Sequence, residues 1–389
     1  MNATYDHLVA IVIVGIIFIS TVVALPAMSF SNMQTVDEQQ LRNTALNVFD
    51  SMLLSVGSPS NWGSTDPTLW DQNKVNQFGL ASSGALSKYV LDPDKVQRLD
   101  PTNPAVMEYE RVRTLLQLQD YGFRLSLFRP FSVNWTLSLT QSAVTFSVKV
   151  TRTEDGTPIP NADVRVTTMI TASKLSQTNT SDLIYKAFDP KTYSTDARGK
   201  CQDIIETNLA GYSLQYAVAI IKVTVAGMST TVVAQNDNPI TKFIKINTFG
   251  DIVTLSFRNE LSENETKSER RVIEIDAYDF ENLYKIFDGT AMSPPELKVV
   301  QGQGYEYWSM KFQNLRALNP TVLLFVMQLT LKGQGRCLVL IAGPFSFGGS
   351  EEIFGFGPEP GPEKVIAIMT RLVVIADMTY VAKIAFWRE

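Results

Sequence analysis

Three periods of hydrophobic and polar residues follow one another along this chain, and each predicts a different element. Leu8 to Leu25 (LVAIVIVGIIFISTVVAL) carries no charge, amide or proline. At 1.5 Å of rise per residue the run spans about 27 Å, close to a bilayer's hydrocarbon thickness, so it predicts a membrane-crossing helix. Its apolar surface consists of Leu8, Val9, Ile11, Val12, Ile13, Val14, Ile16, Ile17, Phe18, Ile19, Val22, Val23 and Leu25. A helical stripe comes next: Leu41, Ala45, Val48 and Met52, widened by Phe49, Leu53 and Val56, with Arg42, Asn43, Asn47 and Asp50 off it. Thr35 and Glu38 fit a capping box at its start, and Gly57 with Pro59 supplies its stop. Pro26 removes one helical hydrogen bond, so a rod kinked at the membrane surface is expected; two separate helices, which the Thr35 cap favours, fit as well.

From residue 57 to 130 the pattern is of turns and short helices. Pro93–Leu99 reads as a short helix capped by Asp92, and 104–118 as a longer one on the spacing of Val106, Tyr109, Val112 and Leu116. Phe123–Phe128 alternates with period two, and so do Val144–Thr151 and Val164–Ile170, while Tyr216–Val225 is almost continuously apolar. Turn-rich linkers such as EDGTPIPNA separate them, the signature of a β-sandwich. Further strands are expected at 252–257, 271–278, 305–312, 322–331, 337–342, 365–375 and 379–387. GPFSFGGSEEIFGFGPEPGPEK reads as a long loop whose Phe345, Phe347, Phe354 and Phe356 form either a contact surface or a cover for the second sandwich.

A secretory signal peptide is the rival reading of the apolar run. MNATYDH has no Lys or Arg, the run exceeds the usual length of roughly 7–15 residues, and Leu25 stands where cleavage after Ala27 wants a small residue. The first basic residue is Arg42, so charge gives no orientation.

Composition narrows the chemistry. A net charge of −5 with 19% charged residues argues against a nucleic-acid surface. His7 is the only histidine, which removes a Ser-His-Asp or Cys-His site from the body and the commonest transition-metal ligand with it. Cys201 and Cys337 are too few for a disulfide scaffold; one bridge and two buried thiols both remain open. Glu274 and Asp276 share a strand face and are expected to be a solvated pair, with Ile273, Ile275 and Ala277 opposite. Asp155, Asp163 and Asp196 read as turn formers, and Gly302-Gln-Gly304 and Gly355-Phe-Gly357 as turns. No catalytic, cofactor or metal residues emerge. Asn134, Asn179 and Asn264 (with Asn2) lie in Asn-x-Ser/Thr triplets and are candidate glycosylation sites of an exterior body.

The order apolar half-helix, proline, amphipathic half-helix, β-rich body resembles type IV pilins and archaeal pilin-like surface proteins. SMLLSVGSPSNWGS, FGLASS, YVLDPDKVQRL and the closing RLVVIADMTYVAKIAFWRE carry that resemblance, while GTPIPNADV with STDARGK resembles immunoglobulin-like and carboxypeptidase-regulatory-like modules. The charged leader of pilins is not visible before Leu8, which puts polymerisation in doubt. The resemblance implies a mainly β protein with a long N-terminal helix kinked near Pro26 and two β-sandwich-like domains. Its division would be 1–30 anchor, 31–57 neck helix, 58–136 connector ending in a strand, 137–235 immunoglobulin-like sandwich and 236–389 C-terminal β domain. If Phe123–Phe128 pairs with C-terminal strands, the 137–235 sandwich is an insertion. The expected function is a non-enzymatic, single-pass extracellular surface protein with a structural, adhesive or filament-subunit role. Its partners would be the bilayer through residues 8–25 and other copies through the N-terminal helix. The alternative is a membrane-tethered carbohydrate-binding protein or paired-carboxylate hydrolase.

Overall fold

The computed structural model describes residues 37–101, 103, 105–174, 183–236, 243–258, 270–279, 282–289, 298–302, 305–331, 335–344 and 352–389. The apolar run at 8–25, the Pro26 kink and the Thr35 cap lie outside them. The protein is mainly β with a helix at its described start. That helix, α1, covers residues 37–54 and buries Leu41, Ala45, Phe49, Met52 and Leu53, the stripe expected from the sequence. Val56 falls past the helix end and is 38% exposed. Gly57 then turns the chain at φ +71, where a Cβ would meet the Gln77 carbonyl at 2.8 Å.

The strand β1 (Val90–Leu91) leads into helix α2 (Pro93–Gln97), whose N-cap Asp92 accepts from the Asp94 amide as expected. Helix α3 is shorter than its periodicity suggests, Tyr109–Leu115 instead of 104–118. Tertiary partners claim the backbone before it: Arg98 binds the Ala105 carbonyl, Trp70 the Val106 carbonyl, and the Met107 amide donates to the Arg98 carbonyl. β2 (Tyr121–Phe128) follows.

The next eight strands, β3 (Ser132–Leu139), β4 (Ala143–Thr151), β5 (Asp163–Lys174), β6 (Leu183–Ala187), β7 (Lys191–Ser194), β8 (Lys200–Glu206), β9 (Tyr212–Val225) and β10 (Met228–Gln235), form two sheets. One has the order β3-β4-β8; the other runs β10-β9-β5-β6, with β7 also on β5. Between them lies an apolar core of Val144, Phe146, Val148, Val150, Val164, Val166, Ile221 and Val223. The alternation in β4 therefore gives the half-buried strand that it predicts. Strand β3 pairs with β4 from Ser132 onward, so this sandwich begins a few residues before the expected 137.

A second pair of sheets follows from β11 (Ile244–Phe249), β12 (Ile252–Arg258), β13 (Arg271–Tyr278), β14 (Leu283–Asp288), β15 (Lys298–Gly302), β16 (Tyr305–Lys311), β17 (Val322–Leu331) and β18 (Gly335–Pro344), with the short helix α4 (Leu315–Leu318). The orders are β11-β12-β16-β15 and β14-β13-β17-β18, around a core that includes Ile246, Leu255, Phe257, Ile275, Phe325 and Ile341. The two sandwiches stack. Met169, Val218, Ile220 and Val233 of β5, β9 and β10 meet Val322, Leu324, Val326, Leu338 and Leu340 of β17 and β18 in another apolar cluster. Four sheets thus form successive layers, which is why β9 and β17 are apolar on both faces.

The chain then returns to its start. The strands β19 (Glu352–Phe356), β20 (Ile366–Ile375) and β21 (Met378–Arg388) join β1 and β2 in a sheet of order β1-β20-β21-β2-β19. β2 pairs antiparallel with β21 along its whole length, the pairing on which the insertion reading depends. Residues 131–344 are accordingly carried between β2 and β19, and the closing strands lie in the sheet of α1. The Gly/Pro-rich stretch is not all loop: β19 pairs with β2, and Gly355 sits in that strand instead of a turn. Phe356 is neither a contact surface nor a cover for the second sandwich; it packs against Tyr109 and Phe123 in the α1 core. Phe345 and Phe347 lie outside the described residues.

Cys201 sits in the first sandwich core and Cys337 in the second, and no disulfide joins them. The core under α1 yields a direct test. Phe49→Ala should cost about 3–5 kcal/mol of unfolding free energy, whereas Val56→Ser should stay within about 0.5 kcal/mol, both read from urea melts. Equal effects would contradict the burial of α1 on the sheet.

Candidate functional site

The most distinctive polar site surrounds α2. This helix is too short to bury itself through an apolar stripe, and Asp94, Lys95, Val96 and Gln97 are all buried. Its polar side chains dock the terminal module onto β11 of the second sandwich and the turn after it. Gln97 and Thr248 exchange two hydrogen bonds of 2.8 Å: the Gln97 Nε2 donates to Thr248 Oγ1 and the Thr248 amide donates to Gln97 Oε1. The Gly250 amide donates to Asp94 Oδ2 at 2.8 Å, and Lys245 pairs with Asp100. Arg98, fully buried, gives its guanidinium hydrogens to the carbonyls of Gly63, Thr65 and Ala105. Its charged plane lies 3.8 Å from the Trp70 ring centroid and 4.5 Å from that of Phe249 in β11, so a cation–π contact crosses the same junction.

Beside α2 is a cavity of about 190 Å³ lined by Asp92, Asp94, Thr248, Gly250, Arg316 and Asn319, with Ala376 and Asp377. Asp92 is buried. Its Oδ1 caps α2, and its Oδ2 lies 3.7 Å from both Lys95 Nζ and Arg316 Nη2, too far for a hydrogen bond. Lys95 is held by the carbonyls of Val56 and Ala81 at 3.0 and 2.7 Å, which ties the exit of α1 to α2. Burial, reinforced by the neighbouring Asp92 charge, raises the Asp94 carboxyl to about 7. One wall is strained: Ala376 and Asp377, the two-residue β20–β21 turn, have φ of 45 and 62 without a glycine. The Thr321 hydroxyl, which donates to the Ala376 carbonyl, helps to hold that turn.

The sequence placed its carboxylate pair elsewhere, and there the expectation fails. Glu274 and Asp276 do not form a solvated face. Register shifts at Val272/Glu274 and Ile275/Asp276 and the stacking of the two sandwiches bury Asp276. Its Oδ2 accepts from the Tyr185 hydroxyl of β6 at 2.6 Å, while Glu274 pairs with Lys285 at 2.9 Å. Burial raises the Asp276 carboxyl to about 6, with the Tyr185 hydrogen bond opposing. Asp155 and Asp196 act as turn formers, accepting from the amides of Thr157 and of Arg198 and Lys200. Asn134 is exposed on β3; Asn179, Asn264 and the anchor residues lie outside the described residues. Among the described residues no group of three potential metal ligands occurs, and no helix is long and apolar enough to cross a membrane. The sequence does not single out the α2 site, because its carboxylates match no catalytic spacing. Its signal is the density of polar residues in DPDKVQRL, where a docked helix should be amphipathic.

No family model matches the chain, and no curated protein matches it. Trypsin-activated alpha-2-macroglobulin from Escherichia coli is similar over 63% of this chain at 8% identity and a TM-score of 0.20. The chain spans only 19% of that protein, and so loose a likeness carries no argument.

Asp94 makes the junction sensitive to pH. Its folded carboxyl stays protonated to about 7 against 3.8 unfolded, so between those values the folded state holds the extra proton and stability falls as pH rises. Asp276 acts in the same direction up to about 6. Asp94→Asn, which keeps an acceptor for Gly250, should flatten the decline in thermal midpoint between about pH 4 and pH 7. An unchanged slope would contradict the protonated carboxyl.

Proposed function

We propose that this chain is a membrane-tethered, non-enzymatic surface protein of pilin-like layout. Residues 8–25 cross the bilayer, the rod kinks near Pro26 and continues into α1, and the body of two β-sandwiches stands outside the cell. The observation that supports this reading is α1 itself: the helix that follows the apolar run lays one face on a sheet built from both ends of the described chain. A helix held so firmly transmits the position of the anchor to the whole body. The β-sandwiches serve as spacer and contact surface, a structural or adhesive role.

The second reading is a polar-ligand or hydrolytic site at the Asp92–Asp94 cavity. Its support is a buried carboxylate pair in which Asp94 titrates near neutrality. Against it, Asp92 Oδ1 is committed to the helix cap and Asp94 Oδ2 to Gly250, which fits a structural weld better.

Cell fractionation tests the proposal. The full chain should stay with membranes through an alkaline carbonate wash, and protease added to intact cells should remove the body. A chain starting at residue 31 should be soluble. A full chain released by the wash, or a body protected from protease, would overturn it.

A further inference from the structure

Strand β20 is hydrogen-bonded to β21 from Ile366 to Ile375, but on its other side β1 reaches only Val374 and Ile375. The Val374 amide donates to the Tyr89 carbonyl at 2.9 Å, which fixes the side to which that residue's backbone points. Backbone groups alternate along a strand, so Ile366, Ile368, Thr370 and Leu372 turn their N–H and C=O toward the same edge. Among the described residues no backbone partner meets them there. Their side chains share the sheet face away from α1, and Ile366, Ile368 and Leu372 are 37%, 53% and 54% exposed. Such a long apolar edge is a template for strand addition, and the usual guards of proline, bulge or outward lysine are missing from it.

We propose that this edge pairs with the same edge of a second copy, antiparallel and centred on Met369. The sequence of the edge selects this register. About Met369, Ile366 faces Leu372 of the second copy and Ile368 faces its Thr370, and the same holds in reverse, so all four residues are matched. Arg371, which pairs with Asp50 in its own chain at 3.4 Å, faces Ala367 of the second copy. Centring on Thr370 would set Ile366 against Val374, already bonded to Tyr89; centring on Arg371 would set two arginines together and leave Ile366 unmatched. The ladder ends at Leu372, short of β1, and the chain before Ile366 turns away where the Lys364 amide donates to Gly361. The contact is isologous, with a two-fold axis normal to the sheet.

That axis has a consequence for adhesion. Helix α1 runs in the direction of β20: Leu41 and Val365 line one cavity at its start, and Asp50 meets Arg371 farther along. Reversing β20 reverses α1, so the two chains enter the dimer from opposite ends. Given the membrane anchor proposed above, on which this last step rests, the edge joins copies on two facing membranes instead of neighbours in one.

Sedimentation of the full chain in detergent tests the pairing. The dimer should be lost in Ile366→Glu and in Leu372→Lys and restored in the double variant, where the two new charges face each other. Both positions are exposed, and unchanged thermal midpoints verify folding; Thr370→Lys, opposite Ile368, serves if either variant unfolds. A full chain that stays monomeric as concentration rises, a dimer indifferent to the single substitutions, or a double variant that is not rescued would overturn the proposal. Vesicles reconstituted with the full chain should cluster, and those with Leu372→Lys should not. Absence from vesicles with the detergent dimer intact would strike the anchor alone; insertion without clustering would overturn the bridging of two membranes.

Discussion

Eight residue pairs between Tyr121–Phe128 and Met378–Arg388 hold this fold closed. They bring together segments separated by the whole of both sandwiches and place Phe123, Leu125 and Leu127 opposite Phe386, Ile384 and Ala382 under α1. Without that pairing α1 has no complete surface on which to bury Phe49 and Met52, and an amphipathic helix of this length is marginal alone. The pairing is also strongly non-local, so its closure entropy has to be met before α1, α2 and the sheet stabilise one another.

Once the ends are joined, the inserted layers have to be held against them, and polar groups do this. Gln97, Arg98 and Asp94 reach from α2 to β11 and the turn after it, and Thr321 reaches to the β20–β21 turn. Buried polar contacts of this kind are demanding in geometry: each removed partner leaves another group desolvated and unsatisfied. They fix one relative placement of the halves, whereas the apolar cluster between the two sandwiches supplies adhesion with less directional preference. The raised Asp94 carboxyl follows from that placement, and the raised Asp276 carboxyl from the stacking of the two sandwiches.

The periodic elements were legible in the sequence. The stripe of α1, the Asp92 cap, the alternation of β4 and the strands at 271–278 and 322–331 all follow from residue spacing, because each has one dominant environment that its side chains report. What depends on distant partners was not legible. β19 hides in a Gly/Pro-rich stretch because β2 supplies its ladder, and α3 loses its first residues because Arg98 and Trp70 take their carbonyls. Asp276 reads as solvent-facing until another sheet is laid on it, since a period of two reports which residues share a face but not what covers that face. The α2 cavity is assembled from residues more than 200 positions apart, and no local pattern announces it.

The exposed edge of β20 and the helix under the same sheet give the terminal module two tasks, closing the chain and presenting a surface. Both depend on β2 and β21 behaving as one unit. Hydrogen exchange followed by mass spectrometry across a denaturant series tests this most directly: peptides spanning 121–128, 378–388 and 41–53 should lose protection together, in one step. Protection of 378–388 that instead tracks the 243–344 sandwich, or that survives after 121–128 has opened, would contradict a module closed by the two ends of the chain.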